Sequence, residues 1–396
     1  MIRKTRLILR EEYSSFESLL ELARNHEYTE FWICQPEEHA PYYCLQGLSH
    51  EDVLKEYNHL ADLMEANNNE LNWMFGSTHW DPDMSQRIAD CGGGFSGDIS
   101  NIAAINASKI NVHHYSARFA SYTVNYNMPE DNNISKSILF SSLMRGAWEH
   151  RCMLIDKFFK YNLLDKGIVT WQYLADEVNF NWKHWTPERL ILDMKVNHPN
   201  GETNNFTGVY SNVRDESPIN ISVYPREIDN VLLDVVVESN MVSSFITEKT
   251  FKALFNGMPF VVFGRVNQNA ILRDRMGFKL YDNIISYDFD SVFDLETRAE
   301  MLCQELLKLE DQDYNQLWEQ TRDIARFNIN RFFDILLNLD LMPDRFAEIA
   351  RGDIDFDFVG KHTGYENYTA SAYPQYAEEL KNLRQKLIDK TYQPLQ

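Results

Sequence analysis

Between residues 231 and 281 the chain alternates short apolar runs with amphipathic stretches that stop at a glycine, and few folds accept that rhythm. Residues 231–238 read as a strand, 248–256 as a helix closed by Gly257, and 259–263 as a second strand. Residues 268–276 then read as a helix closed by Gly277, and 279–281 as a short third strand. Strands alternating with helices that end in glycine predict an α/β fold, a parallel sheet with helices on both faces.

The same grammar extends towards the N-terminus. Residues 138–143 read as a strand and 148–161 as a helix with Met153, Leu154, Phe158 and Phe159 on its apolar side. Earlier, 14–22 is a helical pattern, 28–34 a strand candidate, 50–67 a helix and 71–75 a short buried strand. A long irregular stretch, 76–101, carries Pro82 and the glycine-rich run at 92–97, and loops of that kind are where α/β proteins place chemistry. The Asn-, Gly-, Ser- and Pro-rich segment 197–219 reads as a loop or interdomain crossing. Residues 295–349 are mostly helical in pattern, and 376–390 suggest one more helix. At 396 residues the chain has room for two or three domains. The expected division is an N-terminal domain at 1–135, a second domain at 136–345 and a C-terminal extension at 346–396 packing back on the body.

Composition narrows the function. Thirty-eight basic against 59 acidic residues leave a net charge of −21, which excludes a protein that coats nucleic acid by bulk charge, although a local basic groove remains compatible. The 44% apolar content is ample for buried cores. No apolar run approaches the ~18–20 residues that cross a bilayer, and the basic N-terminus lacks the apolar stretch of a signal peptide. Five scattered cysteines with no C-x-x-C spacing disfavour a disulfide framework or zinc site and suit a reducing cytosol.

Two windows carry the chemistry. In residues 243–254, Thr247 stands as a helix N-cap after a buried strand, with Glu248 and Lys249 opening the helix. A helix start exposes N–H groups and a positive dipole end suited to phosphate, Lys249 adds a mobile charge, and Glu248 is placed to accept from ribose hydroxyls. The plainer alternative is an ordinary capped helix with mixed charges in its first turn. In residues 145–151, Arg145 and Arg151 bracket a strand-to-helix turn, so both can address one anion with planar guanidinium forks. The plainer alternative there is a solvated helix start.

The segment 245–264, Phe-Ile-Thr-Glu-Lys-Thr-Phe-Lys-Ala-Leu-Phe-Asn-Gly-Met-Pro-Phe-Val-Val-Phe-Gly, resembles the donor-site segment of fucosyltransferase-like GT-B glycosyltransferases. It looks closer still to glycosyltransferase-like proteins encoded by tailed bacteriophages, where a Gly-Phe-Lys strand follows, matched here by Gly277-Phe278-Lys279. Leu163-Leu164-Asp165-Lys166-Gly167 matches a turn of the same proteins, whereas Ala147-Trp148 departs from the Pro and Arg of their pattern. The resemblance covers roughly residues 137–290 with gaps. It implies two Rossmann-like domains in a GT-B-like arrangement with a helical C-terminal extension. It also implies that Glu248 binds the nucleotide ribose and Lys249 the pyrophosphate, with Arg145, Arg151, Thr247 and Lys252 as further donor-binding candidates.

Sugar transfer also needs a base for the acceptor hydroxyl. Candidates are Asp81, Asp83, Asp98, Glu149 and His79; Asp81, just after the strand at 71–75, is preferred, with an Asp-Pro turn as its plainer reading. His113-His114 cannot easily chelate one ion, because adjacent residues of a strand face opposite ways. Asp-x-Asp triplets such as 288–290, 311–313 and 353–355 are expected by chance in so acidic a chain, and 353–357 reads as an acidic surface turn. There is no P-loop signature. The expectation is a metal-independent, nucleotide-sugar-dependent glycosyltransferase in the cytoplasm, a host's if viral, with no cofactor beyond its donor. Its acceptor carries a hydroxyl, and the phage resemblance admits hydroxymethylcytosine in double-stranded DNA, although Lys109 and Arg118 stand alone. The cluster of Lys183, His184, Arg189 and Lys195 with Trp182 and Trp185 fits a nucleic-acid edge or a solvated helix. The rival class is a non-catalytic interaction or virion-associated protein on the same scaffold.

Overall fold

The computed structural model of the chain describes residues 5–9, 27–35, 50–75, 111–114, 135–144, 148–170, 228–238, 248–340, 344–353, 356–359 and 373–391, with isolated positions at 17, 20, 21, 24, 109, 241 and 246. The loop at 76–101, the crossing at 197–219, the basic cluster at 182–195, Arg118 and most of the helix expected at 14–22 lie outside the described residues. The chain divides into two compact units, Met1–Ser121 with Ile335–Leu380, and Tyr122–Asp334 with Lys381–Gln396. Both are mixed α/β and each holds a parallel sheet.

The first unit begins with β1 (Thr5–Leu9), β2 (Glu30–Gln35), α1 (His50–Ala66), β3 (Glu70–Phe75) and β4 (Asn111–His114). Tyr57, Leu60 and Met64 form the buried stripe of α1, and Asn68 ends it in the left-handed region at φ 56°. Lys109 is engaged locally, its ammonium 2.5 Å from Asp62 and its backbone N–H donating to Asn58.

The second unit runs through β5 (Ile138–Leu143), α2 (Glu149–Lys160), β6 (Gly167–Thr170), β7 (Val231–Val237), α3 (Glu248–Phe255), β8 (Phe260–Phe263), α4 (Gln268–Asp274), α5 (Leu295–Leu309) and α6 (Tyr314–Asn338). Its strand order is β6-β5-β7-β8, all parallel. Every residue of β7 is buried, as a central strand covered on both faces requires. The one charge in that strand, Asp234, accepts from Ser141 Oγ on β5 at 2.8 Å. β8 is the edge strand, and a side chain completes it: Asn269 on α4 accepts from Val262 N–H at 2.9 Å and donates to Val262 C=O at 2.8 Å, as a neighbouring strand would. Strand β6 is absent from the expectations above. It starts at Gly167, where a Cβ would lie 2.7 Å from the Phe140 ring, so the ring of β5 occupies the space a side chain would need.

Residues 279–281 do not form the expected strand. Asn328 on α6 pairs with both backbone groups of Lys279, at 2.7 and 2.9 Å, and Tyr281 N–H donates to the Tyr287 hydroxyl at 3.2 Å. With those groups already satisfied by side chains, no ladder is needed. Gly277 does close its helix as expected, at φ 77°, and a Cβ there would also meet Arg331 Nε at 2.9 Å.

The division between units passes within α6, after Asp334. Then follow α7 (Asp344–Arg351), β9 (Phe356–Val359) and α8 (Tyr373–Thr391). β9 pairs parallel with β1, giving the first sheet the order β4-β3-β2-β1-β9. The stretch 346–396 is therefore not a purely helical extension, and 353–357 is not simply an acidic turn: Asp353 is exposed, but Phe356 and Asp357 sit in register with Thr5 and Arg6. A strand with an open edge, here β1, takes up such a segment despite its acidity. In the same unit the buried carboxylate of Glu30 on β2 is held by the Arg345 fork from α7, with three contacts of 2.9–3.1 Å, and by Trp32 Nε1 at 2.9 Å. No helix of the described residues is long and apolar enough to cross a membrane.

Candidate functional site

Strand order locates the opening of the second sheet. From β5 the chain passes through α2 to β6 on one side, whereas β7, on the other side of β5, leads through α3 to β8. Right-handed crossovers in opposite directions put α2 and α3 on opposite faces, so their N-termini diverge above the carboxyl ends of β5 and β7. Open α/β sheets bind ligands at such a crevice.

Five side chains meet there. Helix α2 starts after Trp148, which is extended at φ −68° and ψ 148°, exposed, and accepts through its carbonyl from the Arg151 and Cys152 N–H groups. That fixes His150 and Arg151 in the first turn, pointing into the sheet edge. His150 Nε2 lies 2.8 Å from the carbonyl of Glu238, and Arg151 Nη2 donates to the carbonyl of Val237 at 3.4 Å. A carbonyl only accepts, so His150 carries its proton on Nε2. Burial, with the adjacent Arg151 charge second, lowers its pKa to about 3, so the imidazole is neutral. From the other helix, Thr250 Oγ1 donates to Glu238 Oε1 at 3.0 Å and Lys249 Nζ stands 3.8 Å from Glu238 Oε2.

Glu238 is the junction. It follows the last residue of β7, is fully buried, and its N–H donates to the carbonyl of Phe263 at the end of β8 at 3.2 Å. Its main chain receives α2 and its carboxylate receives α3. The Lys249 side chain is about a fifth exposed, at 21%, and its contact to Glu238 is at the outer limit of an ion pair.

Of the residues singled out from sequence, Arg151 and Lys249 are thus gathered at one place by Val237 and Glu238. Glu248 opens α3, and Lys252 lies buried a turn further on. Arg145, Thr247 and the base candidates Asp81, Asp83, Asp98 and His79 lie outside the described residues. Glu149 is exposed at the first position of α2. His150, Glu238 and Thr250 belong to the site without having been singled out. The signal for Glu238 was a carboxylate ending a run that is apolar but for Asp234, and for His150 its place beside Arg151.

Other polar clusters have structural duties. Asp290, the second carboxylate of the 288–290 triplet, accepts from Asn269 Nδ2 at 2.8 Å and Ala270 N–H at 3.0 Å, tying a 3-10 turn to α4. Asp313 caps the start of α6 by accepting from the N–H groups of Asn315 and Gln316. Among the described residues no three His, Cys, Asp or Glu side chains are grouped to hold a metal ion. Cys152 and Cys303 are buried free thiols whose pKa values burial raises, that of Cys152 to about 12, so neither is a ready nucleophile. No protein-family model matches the chain, and no curated protein matches it.

Proposed function

We propose that the protein is a glycosyltransferase whose second unit holds a nucleotide-diphosphate sugar in the crevice between α2 and α3. The two units would be the Rossmann-like halves of a GT-B arrangement, the first serving the acceptor. The observation that carries this reading is that Arg151, from α2, donates to the carbonyl of Val237 at the end of β7, while Lys249, from α3, stands 3.8 Å from the carboxylate of the next residue, Glu238. Breaking the anomeric bond leaves a diphosphate that gains negative charge as the sugar becomes oxocarbenium-like. Cations fixed at that position stabilise the leaving group most when the bond is most broken, which lowers the barrier. Lys249 supplies a mobile point charge, and Arg151, which is buried, a fixed one. Glu248 is assigned to the ribose and Asp81 to the proton of the acceptor hydroxyl.

Isothermal titration of the full chain with a panel of nucleoside diphosphates tests the donor half of the reading. Lys249→Ala is expected to weaken the preferred nucleotide at least about tenfold, the cost of removing a charge-assisted phosphate contact. Arg151→Lys is expected to act in the same direction. Wild-type affinity in both variants removes the assignment. Turnover of nucleotide sugars with plain and hydroxymethylated DNA then addresses the acceptor, and a wild-type chain that binds no nucleotide at all favours the non-catalytic alternative.

A further inference from the structure

Beside this site lies a guanidinium that no hydrogen bond accounts for. Arg298, in the first turn of α5, is 3% exposed, and its Nε and Nη1 groups are buried with no acceptor among the described residues. Its Cζ stands 5.5 Å from the centre of the Phe263 ring, at the carboxyl end of β8, and the carbonyl of that same Phe263 receives the N–H of Glu238. The two carboxylates whose charges reach Arg298 are committed elsewhere: Asp290 to Asn269 and Ala270, Asp294 to the Thr297 N–H at 2.8 Å. Arg298 also adds, after burial and Arg151, to what holds His150 neutral, so its charge reaches the start of α2. The pairing of α5 with α2 is firm there, since Lys157 binds Glu296 at 2.6 Å and Glu300 at 3.3 Å.

A buried cation without a hydrogen-bonding anion is costly, and an aromatic face only partly offsets that cost. A guanidinium fork matches two oxygens of one phosphate, and such a pair is strongest where water is shut out. We propose that Arg298 is a second anion-binding arm of the crevice, taking the phosphate of a diphosphate that lies farther from Lys249 once its long side chain swings off the Phe263 ring. This rests on the donor site proposed above and adds to it a preference for two linked phosphates over one.

Inorganic pyrophosphate and orthophosphate are probes free of any assumption about the base or sugar. Isothermal titration of the full chain is expected to give tighter binding of pyrophosphate than of orthophosphate. In Arg298→Met the pyrophosphate affinity should fall at least about tenfold, towards that of orthophosphate, with orthophosphate unchanged. Arg298→Lys, which keeps the charge but not the fork, should fall between and is the variant to read if the Met variant melts early. Lys249→Ala should weaken both anions. Equal pyrophosphate affinity in wild type and Arg298→Lys, or a parallel loss of both anions in Arg298→Met, overturns the second arm and leaves the donor site standing. A wild-type chain that binds neither anion overturns the donor site itself.

Discussion

The ammonium of Lys249 stands 3.8 Å from one oxygen of Glu238, whose other oxygen accepts from Thr250 at 3.0 Å, so one buried carboxylate anchors the start of α3 and competes for its cation. Glu238→Gln keeps an acceptor for Thr250 and removes the negative charge. Nucleoside diphosphate affinity is therefore expected to rise by roughly two- to fivefold, the scale of a partly exposed ion pair. Titration calorimetry reads the change. A drop in affinity would instead mean that the carboxylate positions Lys249 for its ligand.

Asn269 substitutes for a missing strand along β8, pairing both backbone groups of Val262 and donating to Asp290. Asn269→Ala leaves these buried groups unsatisfied and is expected to destabilise the second unit by about 3 kcal/mol. Asn269→Asp should be worse despite its closer shape, because it loses the donors and sets a carboxylate against Asp290. Urea unfolding followed by tryptophan fluorescence orders the three proteins, and an Asp variant as stable as wild type would discard this account.

The regular β-α alternation at 231–274 was legible because each apolar run is buried on both faces and each helix ends at a glycine, Gly257 at φ 61° and Gly277 at φ 77°. What escaped the sequence depends on distant partners. Residues 279–281 look like a strand until Asn328, 49 positions later, takes their place in the ladder. Residues 353–357 look like an acidic surface turn until β1 offers an edge to Phe356–Val359. In the site, Arg151 and Lys249 could be named from local pattern, since each opens a helix. Arg298 could not: in an amphipathic helix it reads as one more polar position, and only Phe263 beneath it and the absence of acceptors among the described residues set it apart.

Glu30 and Arg345 join β2 to α7 across 315 positions. Because Glu30 is buried and its partner is a bidentate fork, Arg345→Met leaves an uncompensated carboxylate and should cost about 3 kcal/mol, whereas the double change with Glu30→Gln should recover part of the loss. A double-mutant cycle in urea measures the coupling, and additivity of the two single losses would mean that the pair is not coupled.

Acid should weaken the second unit earlier than its carboxylates alone would. His150 is neutral in the folded chain, with a pKa lowered to about 3 by burial, against 6.5 when exposed. Above pH 6.5 neither state binds the proton, and the contribution to the pH dependence is nil. Between 6.5 and 3 the unfolded chain takes a proton that the folded chain refuses, so stability falls on acidification by up to about 1.4 kcal/mol per pH unit. Glu300, held by Tyr161 and Lys160 at a pKa of about 2 against an ordinary 4.5, acts in the same direction only below 4.5, its stabilising effect being lost as pH falls towards 2. The interval from pH 6.5 to 5 therefore lies above the range in which Glu300 contributes. His150→Gln retains a neutral donor for the Glu238 carbonyl and should fold with near wild-type stability at pH 7.5, yet lose less stability between pH 6.5 and 5. Urea midpoints at those three pH values suffice: parallel curves for the two proteins would show that the imidazole is already exchanging its proton in the folded state.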